Sequence, residues 1–469
     1  MQIFQIRSGT EVQKIMRDMT EGSPHSHLWR YALPLLLGNW LQLAYNAVDS
    51  IIAGRFIGKN ALAAEGIASP VMNLVILAIT GLCIGAGVLM SEYFGGKEWE
   101  QLRQSTATML LCGTGVSVVA AVLCMAGTPG ILKWMAVPEE IYDITVIYLR
   151  IIFLGMPFTF LYNALAAGLK SVGDSKTPLK FLAFSAILNA VLDLIFLGMF
   201  GFGIACSAVT TVAAEAFSAV LACCYMLRNV KELWPCREQW KIDRRMLKRI
   251  LSYGGPTAFQ QAVQPIGKVL IQGQVNALGV STIAAFHAVT RVDDFACIPE
   301  QGIASSISTY IAQNRGAEKY DRIRKGFRAG IRLEVCYWLL IGTAAAVFRT
   351  PVTALFVTGE GADEVIHLGS RYLMNMSVFY LWPALTNGFQ GFYRGMGKMY
   401  TTILGTVIQI SIRTLCTYLL APSVGITGIA FACVIGWSVM LMFEIPYYFV
   451  TCRKILGKKG TVHNENTDF

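Results

Sequence analysis

The chain has 469 residues, 54% of them hydrophobic and 14% charged, with a formal net charge of +10. A soluble domain carries about 25% charged residues, so this composition excludes an ordinary water-soluble globule and points to lipid as the solvent. Nucleic acid is excluded as a partner too, because the positive charge sits in alternate loops between apolar runs, where membrane topology and anionic headgroups account for it.

A spanning helix needs roughly 20 apolar residues. Twelve runs qualify: residues 31–53, 67–89, 105–126, 142–168, 179–200, 203–227, 251–278, 283–311, 329–348, 372–392, 401–420 and 425–450. Lys97 and Arg103 follow run 2, and Lys170, Lys176 and Lys180 follow run 4. A basic stretch from Arg228 to Arg249 joins runs 6 and 7, a second from Arg315 to Arg328 follows run 8, and the tail holds Arg453, Lys454, Lys458 and Lys459. The other loops carry little: Lys59, Lys133 and an acidic stretch at 360–364. The positive-inside rule places both termini in the cytoplasm; the expected location is a cell membrane, of a prokaryotic plasma or inner-membrane type. Residues 1–30 mix charges without an apolar core, so they read as a cytoplasmic segment and not a signal peptide. The expected organisation is an N-terminal segment (1–30), a six-helix bundle (31–227), a basic cytoplasmic linker (228–249), a second six-helix bundle (250–452) and a cytoplasmic tail (453–469) that is flexible from 457 on. The twelve cysteines lie mostly inside apolar runs without a CxxC, and read as apolar filler.

Helix 1 opens near Pro34 and carries Tyr45, Asn46 and Asp49, with Tyr45 and Asp49 on one face. A carboxylate at mid-bilayer costs roughly 2.5–3.5 kcal/mol. It therefore faces a bundle interior or a wet cavity, either as a structural hydrogen-bonding group or as a proton or cation site. Helix 2 has Gly81, Gly85 and Gly87 for close helix packing, and Glu92 near its cytoplasmic end reads as an interfacial charge. Helix 4 carries Pro157, then Tyr162 and Asn163 as candidate cavity-lining groups with Tyr45 and Asn46, and leads into the turn GLKSVGDSKTP. Helix 5 places Asn189 and Asp193 on one face, and helix 6 has Thr211 and Glu215 four residues apart.

The second half distributes its ionisable groups differently. Lys268 lies in helix 7, and helix 8 holds His287, Arg291, Asp293, Asp294 and Glu300. A buried lysine needs a partner, so Lys268, Asp293, Asp294 and Glu300 form a candidate ionic network, either as a structural pair between helices 7 and 8 or as part of a transport path. His287 reads as an interior histidine and not a metal ligand. Arg413 and Glu444 either pair or reach for the interface.

The halves are copies. Gly58 and Gly279, Gly81 and Gly302, and Gly95 and Gly316 share one offset (279 − 58 = 302 − 81 = 316 − 95 = 221). Gly173 matches Gly397 at 224 and Gly203 matches Gly428 at 225. Six helices is an even number, so both halves have one orientation and are related by a pseudo-twofold axis along the membrane normal, as in transporters with parallel repeats. There is no GxxxxGK[ST] and no nucleophile–base or metal motif, so neither an enzyme nor a bound cofactor is expected.

AYNAVDSIIAGRFIG in helix 1, GLKSVGDSKTP after helix 4, LNAVLDLIF in helix 5 and AQNRGA after helix 8 resemble the multidrug and toxic compound extrusion (MATE) family of antiporters, in order and spacing, from about Tyr31 to Phe449. The resemblance implies an all-α, twelve-helix membrane protein whose two six-helix bundles form a V-shaped pair. It implies export of amphipathic, often cationic drugs or metabolites in exchange for H⁺ or Na⁺. On the branch with an N-terminal aspartate site, it assigns the coupling site to Asp49, Asn189, Asp193 and Thr211. The C-terminal acidic positions of the other branch fall on Gln264 and Pro383, both uncharged. No obligate protein partner is expected beyond substrate and lipid. The rival readings are a flippase for a lipid-linked precursor and a non-transporting membrane scaffold or receptor. Midplane carboxylates at helical spacing argue against the last, since a scaffold has no use for their cost.

Overall fold

The computed structural model describes residues 16–355 and 362–464. Every regular element among the described residues is helical, and together they make twelve passes. The first four are α1 (Pro24–Phe56), α2 (Lys59–Gly95), α3 (Trp99–Trp134) and α4 (Glu139–Ser171). The fifth is α5 (Lys176–Asp193), which runs into a π-helical stretch, Leu194–Met199. α6 (Ile204–Asn229) and α7 (Arg244–Ala277) follow. The eighth pass is split into α8 (Val280–Cys297) and α9 (Glu300–Gly316). After α10 (Tyr320–Ala354), the tenth is split into α11 (Ala362–Phe379) and α12 (Leu381–Gly395). α13 (Met399–Val424) and α14 (Ile426–Asn464) complete the chain.

Eight of these helices, taken among the described residues, are long and apolar enough to cross a membrane by composition. The passes that miss are α1, α7 and the two split ones. Asn39, Gln42, Asn46 and Asp49 dilute α1, and Gln260, Gln261, Gln264, Lys268, Gln272 and Gln274 dilute α7. Pro299 breaks the eighth pass, because a proline has no N–H to give and pushes the preceding residue out of the helical region. The polar residues that lower the hydropathy are what a bundle interior tolerates and lipid does not. Facing outward, α3 exposes Val116 (65%), Val122 (60%) and Leu123 (66%), a surface that water does not favour and lipid does.

Contacts divide the described residues into two compact units, residues 16–19 with Leu37–Ala262, and Thr20–Leu36 with 263–355 and 362–464. The dividing points fall inside α1 and α7. In the first unit the start of α7 lies against α2 so closely that a Cβ on Gly81 would stand 2.6 Å from the Ala258 Cα, and one on Gly85 2.4 Å from the Tyr253 carbonyl oxygen. In the second unit Gly302 of α9, the repeat partner of Gly81, meets the start of α1, where an added Cβ would lie 3.1 Å from Leu35 Cβ and the Leu36 nitrogen. Without a hydrophobic force between helices in lipid, such close approach at small residues carries much of the association.

The repeat also fixes the turns. Gly58 and Gly279 both take the left-handed region (φ +104° and +93°), as do Gly173 and Gly397 (φ +87° and +73°). A side chain there is strained. After Gly173, the Asp174 carboxylate accepts from the Lys176 and Thr177 backbone N–H groups at 3.1 and 3.0 Å, which satisfies the first free donors of α5.

Several boundaries differ from the sequence reading. The helices extend past the apolar cores, because basic residues at a helix end reach the interface without ending the helix. Arg322 to Arg328 therefore lie in α10 and not in a loop, Arg244 to Arg249 in α7, and α14 runs on through the segment expected to be flexible. Residues 1–15, residues 360 and 361 of the acidic stretch, and 465–469 lie outside the described residues.

Candidate functional site

The site grows from helices 1, 5 and 6 of the first unit. Asp193 is fully buried, Asn189 and Thr210 nearly so, and Asp49 half-buried. The i, i+4 spacing that sequence suggests does put Asn189 and Asp193 on one face of α5, and that face meets α6. The Thr210 hydroxyl donates a short hydrogen bond to Asp193 Oδ1. Asn189 would leave its amide oxygen facing only acceptors in one orientation. Turned over, its oxygen accepts from Thr211 Oγ1 (3.3 Å) and the Thr211 N–H (3.2 Å), and its nitrogen donates to Tyr45 Oη and Asp193 Oδ2, both at 3.2 Å. We adopt that orientation because it pairs every group. From α1, Asp49 comes within hydrogen-bonding reach of Asp193, while its Oδ1 is buried without a partner.

Four of the sequence-predicted residues, Asp49, Asn189, Asp193 and Thr211, are therefore brought together, with Tyr45 beside them. Thr210, not Thr211, is the hydroxyl that reaches the carboxylate; Thr211 reaches it only through Asn189. Sequence reasoning missed Thr210 because adjacent threonines on a helix point about 100° apart, and only the partner helix decides which one faces Asp193. It also missed Glu65 of α2. Its Oε1 accepts from Ser50 Oγ at 2.9 Å, one residue along α1 from Asp49. The signal was present as an isolated acid after the α1–α2 turn.

An apolar cavity lies beside the cluster, lined by Met72, Ile76, Met156, Thr159, Thr211 and Glu215, among others. Thr211 belongs to both. Glu215 accepts from the Thr159 hydroxyl. The four residues expected to line a cavity do not line this one. Asn46 accepts from Gln42 at 3.2 Å, Tyr162 donates to the Pro178 carbonyl at 3.0 Å, Asn163 donates to the Thr159 carbonyl at 2.8 Å, and Tyr45 joins the carboxylate cluster.

In the second unit the expected ionic network separates into parts. Lys268 Nζ pairs with Asp294 Oδ1 at 2.8 Å, both partly exposed. Asp293 points elsewhere and accepts from Tyr372 and Tyr380 hydroxyls at 3.0 and 2.6 Å. Glu300 stands on α9, past the break at Pro299, and accepts only from Asn387 Nδ2, at 3.3 Å. Adjacent residues 293 and 294 diverge by the helical turn, and the break removes Glu300 from the face that spacing assigned to it. Arg413 lies near Asp293 and Cys433, and Glu444 near Arg394. No group of three or more metal-ligating side chains occurs among the described residues.

Chemically, the first-unit cluster is two carboxylates from different helices in contact, with hydroxyl and amide donors aimed at one of them. Two such groups cannot both stay ionised in a poorly solvated site without a cation between them. The arrangement is suited to taking up and releasing one small positive charge.

Comparison with known proteins bears on the whole chain. The MatE family profile matches it twice, over residues 34–195 and 256–419. The two starts lie 222 residues apart (256 − 34 = 222), in step with the internal repeat. The chain is 30% identical over 381 residues to the probable multidrug resistance protein YoeA of Bacillus subtilis (strain 168), covering 79% of this chain and 81% of that one. It is 27% identical over 394 residues to the probable multidrug resistance protein YpnP of the same organism, covering 84% and 87%. Among solved structures, the outward-facing conformation of a multidrug resistance MATE family transporter of the MOP superfamily superposes with a TM-score of 0.88 at 18% identity, over 97% of this chain and 100% of that one.

Proposed function

The chain belongs to the MatE family, and from that membership we propose that it is a secondary antiporter. It exports amphipathic, often cationic small molecules in exchange for H⁺ or Na⁺ by alternating access. It is a multi-pass protein of the prokaryotic cell membrane with both termini in the cytoplasm. It carries out no covalent chemistry, needs no cofactor beyond the coupling ion, and works without an obligate protein partner.

The observation that carries the coupling role is the contact of Asp49 with Asp193, supported by Asn189, Thr210 and Thr211. Asp193 already accepts from Thr210 and Asn189, one donor on each oxygen. Asp49 Oδ1 is buried without a partner and is the oxygen that would take an arriving proton or Na⁺. Cation uptake removes the repulsion between the carboxylates and lets α1 close on α5 and α6. Because Thr211 lines the cavity and also holds Asn189, a change at the carboxylates moves a cavity wall. That is a direct physical route from ion binding to substrate release.

The test is efflux of a cationic dye from vesicles containing the purified protein, driven by an imposed pH gradient or an imposed Na⁺ gradient. We expect one gradient to drive efflux, and Asp49→Asn and Asp193→Asn each to abolish the coupled component. Full coupled efflux in both variants would refute the site, and no efflux of any cationic dye under either gradient would refute the transport reading.

A further inference from the structure

The second unit contains a carboxylate pair that the coupling site does not use. Glu300, at the start of α9, is 1% exposed and Glu334, in the middle of α10, is 0% exposed. Both Glu334 oxygens and Glu300 Oε1 are buried without a hydrogen-bond partner. One segment of α12 touches both side chains. Asn387 donates to Glu300 Oε2 at 3.3 Å, and the adjoining Gly388 lies against Glu334, where an added Cβ would meet Glu334 Cγ at 3.7 Å. Glu334 is close enough to feel the charge of Glu300. Among the described residues no lysine or arginine forms an ion pair with either.

The surroundings offer little else. α8 presents Cys297 toward Glu300, and α10 presents Tyr337 toward both acids. The Tyr337 hydroxyl is already donated to the Ala296 carbonyl at 2.9 Å. From α11, Tyr372 and Tyr380 go to Asp293 instead, and α1 brings Leu35 and Leu36 against Gly302 and Tyr31 to Thr309 of α9. Two unpaired carboxylates in such a place would each lose most of their hydration, at a large cost to the charged form. A proton is the smallest species that removes this cost, and of two neighbouring acids one is the more readily protonated because both cannot easily stay charged. The repeat makes the feature specific to this half. The residue matching Glu300 is Ile79 (300 − 79 = 221), whereas Asn387 has a counterpart in Asn163 (387 − 163 = 224).

We propose that Glu300 and Glu334, bridged by the Asn387 segment of α12, form a second proton-binding site, separate from Asp49 and Asp193, which takes up and releases one proton reversibly. Uptake transfers a proton from hydronium to one carboxylate oxygen, forming an O–H bond there and leaving water, and it removes one of the two neighbouring charges. Release reverses this and leaves two repelling charges between α9, α10 and α12, next to the break at Pro299.

The experiment is a pH titration of the infrared carbonyl band of protonated carboxyl groups, on the full-length protein in vesicles and in the Asp49→Asn/Asp193→Asn background. That background removes the first-unit pair, so the outcome does not depend on its coupling role. We expect a band that falls reversibly as pH rises and that is lost with Glu300→Gln or Glu334→Gln. Glu334→Asp keeps the carboxyl and should keep the band with a shifted midpoint, which controls for a glutamine variant that fails to fold. The proposal is overturned if the band is the same with and without Glu300 and Glu334. It is equally overturned if their contribution does not titrate while the protein stays folded, since the proton would then be a fixed structural one.

Discussion

The sharpest consequence of the geometry is a ranking between two adjacent threonines. Thr210 donates to a buried carboxylate, Asp193, whereas Thr211 makes a neutral bond to the Asn189 amide. Hydrogen bonds to charged groups contribute about 1.5–3 kcal/mol and neutral ones about 0.5–1.5 kcal/mol. Valine keeps the shape of threonine and removes the hydroxyl; both hydroxyls also lie within hydrogen-bonding distance of the Ser207 carbonyl, at 2.8 and 3.0 Å, so that loss is common to the two substitutions and their difference reports the Asp193 and Asn189 bonds. Thr210→Val also leaves a buried charged oxygen without its donor, which is the costlier kind of loss. If the aim of Asp193 at Asp49 sets coupling, Thr210→Val should lower the initial rate of gradient-driven dye efflux by about tenfold or more, and Thr211→Val by roughly threefold. Thr210→Ser, which restores the donor, should recover most of the rate. The assay is efflux from vesicles at matched protein content, with size-exclusion profiles confirming that each variant is folded. A larger loss in Thr211→Val than in Thr210→Val, or no rescue by serine, would refute the assignment.

Other consequences concern the frame. Gly85→Ala places a methyl 2.4 Å from the Tyr253 carbonyl, so α7 must retreat by about 1 Å at a cost of about 1–3 kcal/mol, visible as a lower thermal unfolding midpoint in detergent. Gly173→Ala should destabilise more than Gly58→Ala. Both positions are left-handed, which costs a side chain about 1–2 kcal/mol, but only at Gly173 does the added Cβ also meet neighbouring chain, 2.6 Å from the Arg17 carbonyl. Equal midpoints would show that the Arg17 contact yields freely. Lys268→Met should change the midpoint little, by about 1 kcal/mol or less, because the pair with Asp294 is largely open to its surroundings; a large drop would place that pair in a load-carrying role.

Much of this protein is written in one dimension. Apolar runs locate the passes approximately, because lipid demands runs of nearly fixed length, although by composition α1, α7 and the two split passes fall short. The offset of 221 to 225 residues between matching glycines establishes the duplication, and two of the pairs, Gly58 with Gly279 and Gly173 with Gly397, keep left-handed turns in both copies because that backbone conformation strains a side chain. Asp49, Asn189 and Asp193 stand out as costly groups at helical spacing. Sequence could not say which faces meet. The choice of Thr210 over Thr211, the divergence of Asp293 from Asp294, and the removal of Glu300 by the break at Pro299 all depend on helix rotation and on the partner helix. Those are set by packing between residues far apart in the chain. Glu334 carried no signal at all, since one glutamate in a basic helix is ordinary until the fold buries it beside Glu300. The membrane fixes how many helices there are and how they run, and only tertiary contact decides which polar atoms share a site.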